Sequence, residues 1–193
     1  MEYTQVSATA FQELQLNAGI VVSDFDPSDG SIDGDILGVT SGGITFASNP
    51  TYVDFGDGMD NVPDNTWQLK RVQGYDPTLS GTFLTITDEL AKQLSGAGGL
   101  SSNHITPSHA LTETDFDDIW LVGDYSDKND NGTNKTAGFC AVHIMNALNT
   151  SGFQWKSNDD GKGEYSFEFH GHYDLEDIDT VPFEIYVKAG TAT

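Results

Sequence analysis

With 30 acidic residues against 8 basic ones in 193, and a formal net charge of -22, the chain lacks the clustered Lys and Arg that gripping a phosphate backbone requires, which argues against a sequence-specific DNA or RNA binder. Its 37 % apolar content is enough for one modest core, so residues 1–193 read as a single domain with an N-terminal arm over about residues 1–18. No stretch supplies the roughly 18 consecutive apolar residues of a membrane span, and Met1 to Ile20 has neither the basic start nor the apolar centre of an export signal. The expectation is a soluble protein that is not exported by the general route and does not engage a membrane.

Along the chain, Gly19-Ile20-Val21-Val22 reads as a strand running into the turn formers Asp24 to Gly30. Ile36 to Thr40 is a second short strand candidate. Gly42 to Phe46 and Thr51 to Phe55 read as a hairpin across Ala47 to Pro50, with Pro50 keeping the turn out of the ladder. Gly56 to Thr66 has many turn formers and few apolar residues, a long loop of the kind that often carries function. Trp67 to Val72 and Thr78 to Thr87 are strands.

The segment Thr87 to Leu94 is the one convincing helix. Thr87 can cap it, Asp88 and Glu89 suit the positive end of its dipole, Gly96 can close it, and Leu90, Ala91 and Leu94 form one stripe. Leu100 to Ala110 reads as irregular. The centre of the fold is expected in Ile119 to Tyr173, a four-strand antiparallel meander. Ile119 to Val122 opens it and Ala137 to Met145 is central, being apolar on both parities. Phe153 to Lys156 follows, and Tyr165 to Tyr173 is aromatic on one face and polar on the other. Val181 to Val187 is the last strand. The fold class that results is mainly β: two packed antiparallel sheets, sandwich-like or barrel-like, with one flanking helix and long loops.

Motifs for chemistry are weak throughout. Asp127 to Gly132 matches the first half of a calcium loop, but the twelfth position is Gly138 where a bidentate Glu is needed, so a polar hairpin tip is preferred and no metal is expected. The acidic cluster Asp24, Asp26, Asp29, Asp33 and Asp35 shows no ligand order. His170 and His172 share a strand face, yet His104, His109 and His143 have no spacing that completes a zinc site. Cys140, the single cysteine, excludes an intrachain disulfide and sits in the most apolar strand as a buried thiol. With no nucleophile elbow, phosphate loop or zinc-protease motif, the chain is expected to be neither an enzyme nor a cofactor carrier.

Taken together and in order, Gly42-Gly43-Ile44-Thr45-Phe46, Thr51 to Gly56, Leu79 to Phe83, Asp118 to Tyr125, Gly163 to Tyr173 and Val181 to Val187 resemble the major tail protein, or tail tube protein, of long-tailed bacteriophages, across most of the chain from Gly19 onward. That resemblance implies homohexameric rings stacked into a hollow virion tube with an acidic lumen for DNA passage, made in the cytoplasm of the host bacterium. Its partners would be further copies of the chain and other tail proteins (tape measure, tail terminator, distal tail). In such a tube, Asp57, Met59, Asp60, Asn61, Val62, Asp64 and Asn65 would form an inter-ring loop. Lumen candidates are Glu164, Glu168 and His170 on the polar strand face, or Asp54 and the acids that follow it. The alternatives are a phage adhesin or baseplate module, or a glycan-binding β-sandwich using Trp67, Trp120 or Trp155. Against the last stands the placement of Trp120 and Trp155 in apolar strand patterns, which suits core residues better.

Overall fold

A computed structural model of the protein describes residues 19–124, 138–159 and 161–188. Among the described residues the chain is mainly β with one α-helix, and its large antiparallel sheet does not close into a barrel. Its strands are β1 (Ile20–Val22), β2 (Thr45–Ala47), β3 (Pro50–Asp54), β4 (Lys70–Tyr75), β5 (Thr78–Phe83), β6 (Gly98–Ser101), β7 (His104–Pro107), β8 (Asp117–Asp124), β9 (Phe139–Asn149), β10 (Gln154–Lys156), β11 (Glu164–His170) and β12 (Phe183–Lys188), with α1 over Asp88–Ser95.

Eleven residues long, β9 holds the sheet together. Its first part lies between β8 and β12, while its last two residues, Leu148 and Asn149, pair with β11, which in turn pairs with β5, and β5 with β2. The two halves of the sheet share one core. Val21, Ile119, Val142, Ile144 and Ala147 come from one half, Leu79, Phe83, Phe167 and Phe169 from the other, and Leu90 and Leu94 from α1. The apolar parity of β9 on both faces follows from this position: Val142 and Ile144 face the shared core, while Phe139 and Ala141 join Val22, Phe25, Trp120 and Val122 in a second cluster on the opposite face.

The helix forms where its end signals stand. The Thr87 hydroxyl accepts the Leu90 amide at 3.1 Å, and Gly96 takes φ 81°, a left-handed conformation in which a side chain would be strained. Lys92 donates to the Thr114 carbonyl at 2.6 Å and lies 3.8 Å from the buried carboxylate of Asp115, which also accepts the Thr112 amide and hydroxyl. Burial works to raise the Asp115 pKa, but the Thr112 and Gly98 hydrogen bonds and Lys92 together hold it below its ordinary value.

Several expectations change. The meander exists, but β10 does not add a strand beside β9. Both run antiparallel to β11 along the same edge, so β10 continues β9 after an interruption at 150–153. Asn149 stitches that gap: its amide donates to the Leu94 and Gly152 carbonyls, and its side-chain oxygen accepts the Glu168 amide. Gly42 to Phe46 and Thr51 to Phe55 do not pair with each other. Residues 45–54 instead run antiparallel to 70–80 as one long hairpin, with β2 on β5 near the body and β3 on β4 farther out. Pro50 is in the ladder, opposite Tyr75, at the first position of β3, where a missing N–H is tolerated.

Ile36 to Thr40 makes only isolated bridges, Ile36 to Val22 and Thr40 to Phe83, because it crosses between the two sheet halves. The supposedly irregular Leu100 to Ala110 contains most of the β6–β7 hairpin, turned by Ser102 at φ 55°. Trp67 begins a 3-10 turn over Trp67–Leu69 in place of a strand. Cys140 is half-buried, since its register partner Val187 lies on the exposed edge strand β12. Trp155 is 64 % exposed, because β10 overhangs the core and offers it only Tyr165 to stack on.

Candidate functional site

The distal half of the long hairpin is the part of the chain most conspicuously short of packing. Beyond Asn49 and Asp76, β3 and β4 pair only with each other, and a two-stranded ribbon is marginal without further contacts. At its base, Asn49 donates through its side-chain amide to the Asp76 carbonyl and the Thr78 hydroxyl, and the Tyr75 amide donates to the Tyr173 hydroxyl. This arm is therefore anchored. Farther out, Tyr52, Phe55, Met59, Val72 and Trp67 are exposed, Trp67 to 79 %. Apolar side chains gathered on an exposed ribbon are the usual mark of a surface that another molecule covers.

At the tip of the arm, the loop carries Asp57, Met59, Asp60, Asn61, Val62, Asp64 and Asn65, of which only Val62 is half-buried. It is better ordered by its own groups than its composition suggests. The Asp54 carboxylate accepts the Gly56 amide at 2.9 Å and the Asn65 amide at 3.1 Å, closing the loop at its neck. Two turns follow inside, from the Met59 amide to the Gly56 carbonyl and from the Val62 amide to the Met59 carbonyl. Asn61 and Asn65 take φ near 60°, the conformation that Asn tolerates best after Gly. The loop is a preformed tip on a ribbon.

The four lumen candidates do not come together. Glu164, Glu168 and His170 share the outward face of β11, opposite the aromatic face buried by Phe167 and Phe169. Asp54 belongs to the arm, with its carboxylate already bound to amides. Cross-strand register extends the β11 face with hydroxyls: Ser166 opposes Thr82, Glu168 opposes Ser80, His170 opposes Thr78, and Thr45 lies on the far side of Ser80. Lys156 pairs with Glu164 at 3.2 Å. The His170 ring is bracketed by Asp76 at 2.7 Å and Glu168 at 3.5 Å, so a proton on this imidazole meets two carboxylates. The hydroxyl carpet was not identified from sequence, because β5 and β2 come to lie beside β11 only through long-range pairing.

His172 lies past the end of β11 and does not join His170. Its Nδ1 meets the Asn146 carbonyl at 3.0 Å. Together with Asp118, His143, Asn146, Asp174 and Asp177 it lines a cavity of about 350 Å³. Asn146, at φ 48°, sits in a bulge of β9 opposite Asp118, whose Oδ1 accepts its amide. His143 stacks flat on Trp120 with ring centroids 4.1 Å apart, and its Nε2 approaches Asp118 Oδ2 at 3.3 Å, an ion-pair distance without an aligned hydrogen bond. Among the described residues no three His, Cys, Asp or Glu side chains converge as a metal-ligand set. The calcium-like segment Asp127 to Gly138 lies outside the described residues except at Gly138.

The interaction with His143, with smaller help from the Asn146 amide, holds Asp118 below its ordinary pKa against a burial effect that raises it. A carboxylate with a lowered folded-state pKa stabilises the fold above its unfolded value, and that contribution is lost as pH falls through the folded value. Asp118→Asn should therefore cost about 1 kcal/mol or less near neutrality, the site being half exposed. The deficit should shrink as the pH is lowered below about 4, and thermal melts of both proteins across that range measure it.

Fold and site thus define a class: a mainly-β protein with an anchored, apolar-faced hairpin arm and a polar sheet face. No protein-family model matches the chain, and no curated protein matches it. Among the described residues no helix is long and apolar enough to cross a membrane.

Proposed function

We propose that the chain is a structural subunit of a bacteriophage tail, assembling with copies of itself into stacked hexameric rings that form a hollow tube for DNA passage in the virion. The observation that carries this reading is the arm: a hairpin tied at its base into the main sheet, closed at its tip by Asp54, and exposing Phe55, Met59 and Trp67 beyond the body of the subunit. In the tube the tip, Asp57 to Asn65, contacts the next ring, and the subunit meets the tape measure, tail terminator and distal tail proteins at the tube's ends and interior. The subunit is not an enzyme and takes no cofactor.

The face of β11 with Glu164, Glu168 and His170 lines the channel. DNA must pass without sticking, and a wall of Ser and Thr hydroxyls with carboxylates, its one imidazole held between Asp76 and Glu168, offers phosphates no uncompensated cation. Negative-stain microscopy of purified protein tests the proposal. Rings or tubes about 100 Å across are expected, the scale of six such domains around a channel, and a monomer or trimer at all concentrations refutes it.

The second reading is a glycan-binding module, as an adhesin or baseplate part, and one observation favours it: Trp155 is exposed and stacks on Tyr165, with Phe153 beside them, as a sugar platform would. A monomer whose Trp155 fluorescence shifts on titration with host-wall glycans would select that reading.

A further inference from the structure

The partner surface of the arm can be specified from charge, resting on the reading that the arm is an assembly contact. In a chain with net charge -22, a contact between two copies is favoured where a scarce cation faces acids, and Lys70-Arg71 is the one adjacent pair among its 8 basic residues. Lys70 stands on the same arm face as Tyr52 and Val72: Tyr52 and Val72 are register partners, Asp54 and Lys70 likewise, and the ammonium lies 5.6 Å from the Tyr52 ring centre. Asp54, the acid on that face, has its carboxylate engaged by backbone amides. The arm thus presents an apolar pair with a positive charge beside it.

The complementary surface lies on the body. A groove of about 620 Å³ is lined by Phe116, Tyr173 and Leu175 together with Glu113, Asp174 and Glu176. Leu175 is 91 % exposed at its rim. We infer that this groove receives the Tyr52–Val72–Lys70 face of the arm of a second copy, with Lys70 among Glu113 and Glu176 and the two apolar surfaces covering each other. The occupant is a second copy because the arm leaves its own groove behind: Tyr173 holds the arm at Tyr75, and Lys70 lies five residues farther out, roughly 16 Å at the rise of a strand. Where the arm of one copy enters the groove of the next without a reciprocal exchange across a two-fold axis, the contact is head-to-tail and generates rings or filaments.

Cross-linking in a Cys140→Ser background tests the contact directly. Val72→Cys mixed with Leu175→Cys should give a disulfide-linked dimer under mild oxidation, and neither variant should do so alone. Lys70→Glu should weaken self-association by about tenfold or more in sedimentation velocity, and adding Glu113→Lys and Glu176→Lys should restore it. If wild-type tubes form but Lys70→Glu assembles unchanged and the mixture gives no cross-link, the groove assignment is overturned while the tube reading stands. If no tubes form yet the mixture cross-links and the charge swap rescues association, the tube reading falls and the contact stands. A cross-link within the Val72→Cys,Leu175→Cys double variant that forms only as monomer overturns the second-copy occupant.

Discussion

Replacing Phe83 by Ala should destabilise the protein by about 3–5 kcal/mol, the range for deleting a fully buried aromatic ring. Phe83 is fully buried at the end of β5, stacks on Phe167 of β11 with centroids 4.3 Å apart, and belongs to the cluster that takes in Leu90 and Leu94 of α1. The site cannot collapse easily. The segment that crosses between the two sheet halves packs Gly38 against the ring so closely that a Cβ there would lie 2.8 Å from Phe83 Cδ1. Removing the ring therefore leaves a cavity where strand, helix and crossing segment meet. In urea titrations, Phe83→Leu should lose much less, about 1.5 kcal/mol or under. An Ala variant within about 1 kcal/mol of wild type would show that the two sheet halves do not share this core.

The second large effect concerns assembly. Deleting Asp57 to Asp64 should leave a folded subunit that forms no tubes. The fold survives because the deleted residues are almost all exposed, and the hydrogen bonds that anchor the arm, through Asn49, Asp76 and Tyr173, lie at its other end. Assembly is expected to fail because, in the proposed tube, the tip that would reach the next ring is gone. Circular dichroism and thermal melting should change little, while tubes disappear from micrographs. Tubes of normal length from this variant would remove the tip from the ring-to-ring contact.

How much of this was legible beforehand depended on whether the signal was local. The helix was, since Thr87, Asp88, Glu89, the Leu90–Leu94 stripe and Gly96 all fall within a few turns. So was β11, whose alternation of Phe167 and Phe169 with Ser166 and Glu168 is the direct imprint of one buried face. Pairing partners were not. Residues 45–54 find 70–80 across a loop that gives no hint of register, so pairing by nearest neighbours in sequence misses it. The β6–β7 hairpin uses Gly98, Gly99 and Pro107, types that strands disfavour, and its order comes from packing on α1. Trp155 is exposed although its strand pattern is apolar, because β10 overhangs the core, a placement that the pattern alone does not carry. Of the candidate lumen residues, those on one strand stayed together and Asp54 did not, since its role was decided by amides two and eleven residues away.

The continuity of the long hairpin also has a mechanical side. Because β3 and β4 extend β2 and β5 directly, a pull on the arm along its own axis is delivered lengthwise into β5, which lies between β2 and β11. Antiparallel hydrogen bonds stand across the strands, so such a load strains the whole β5–β11 ladder at once in shear instead of peeling it open one bond at a time. An object built from these subunits would therefore resist stretching along the arms far better than it resists bending, stiff under tension while still free to curve.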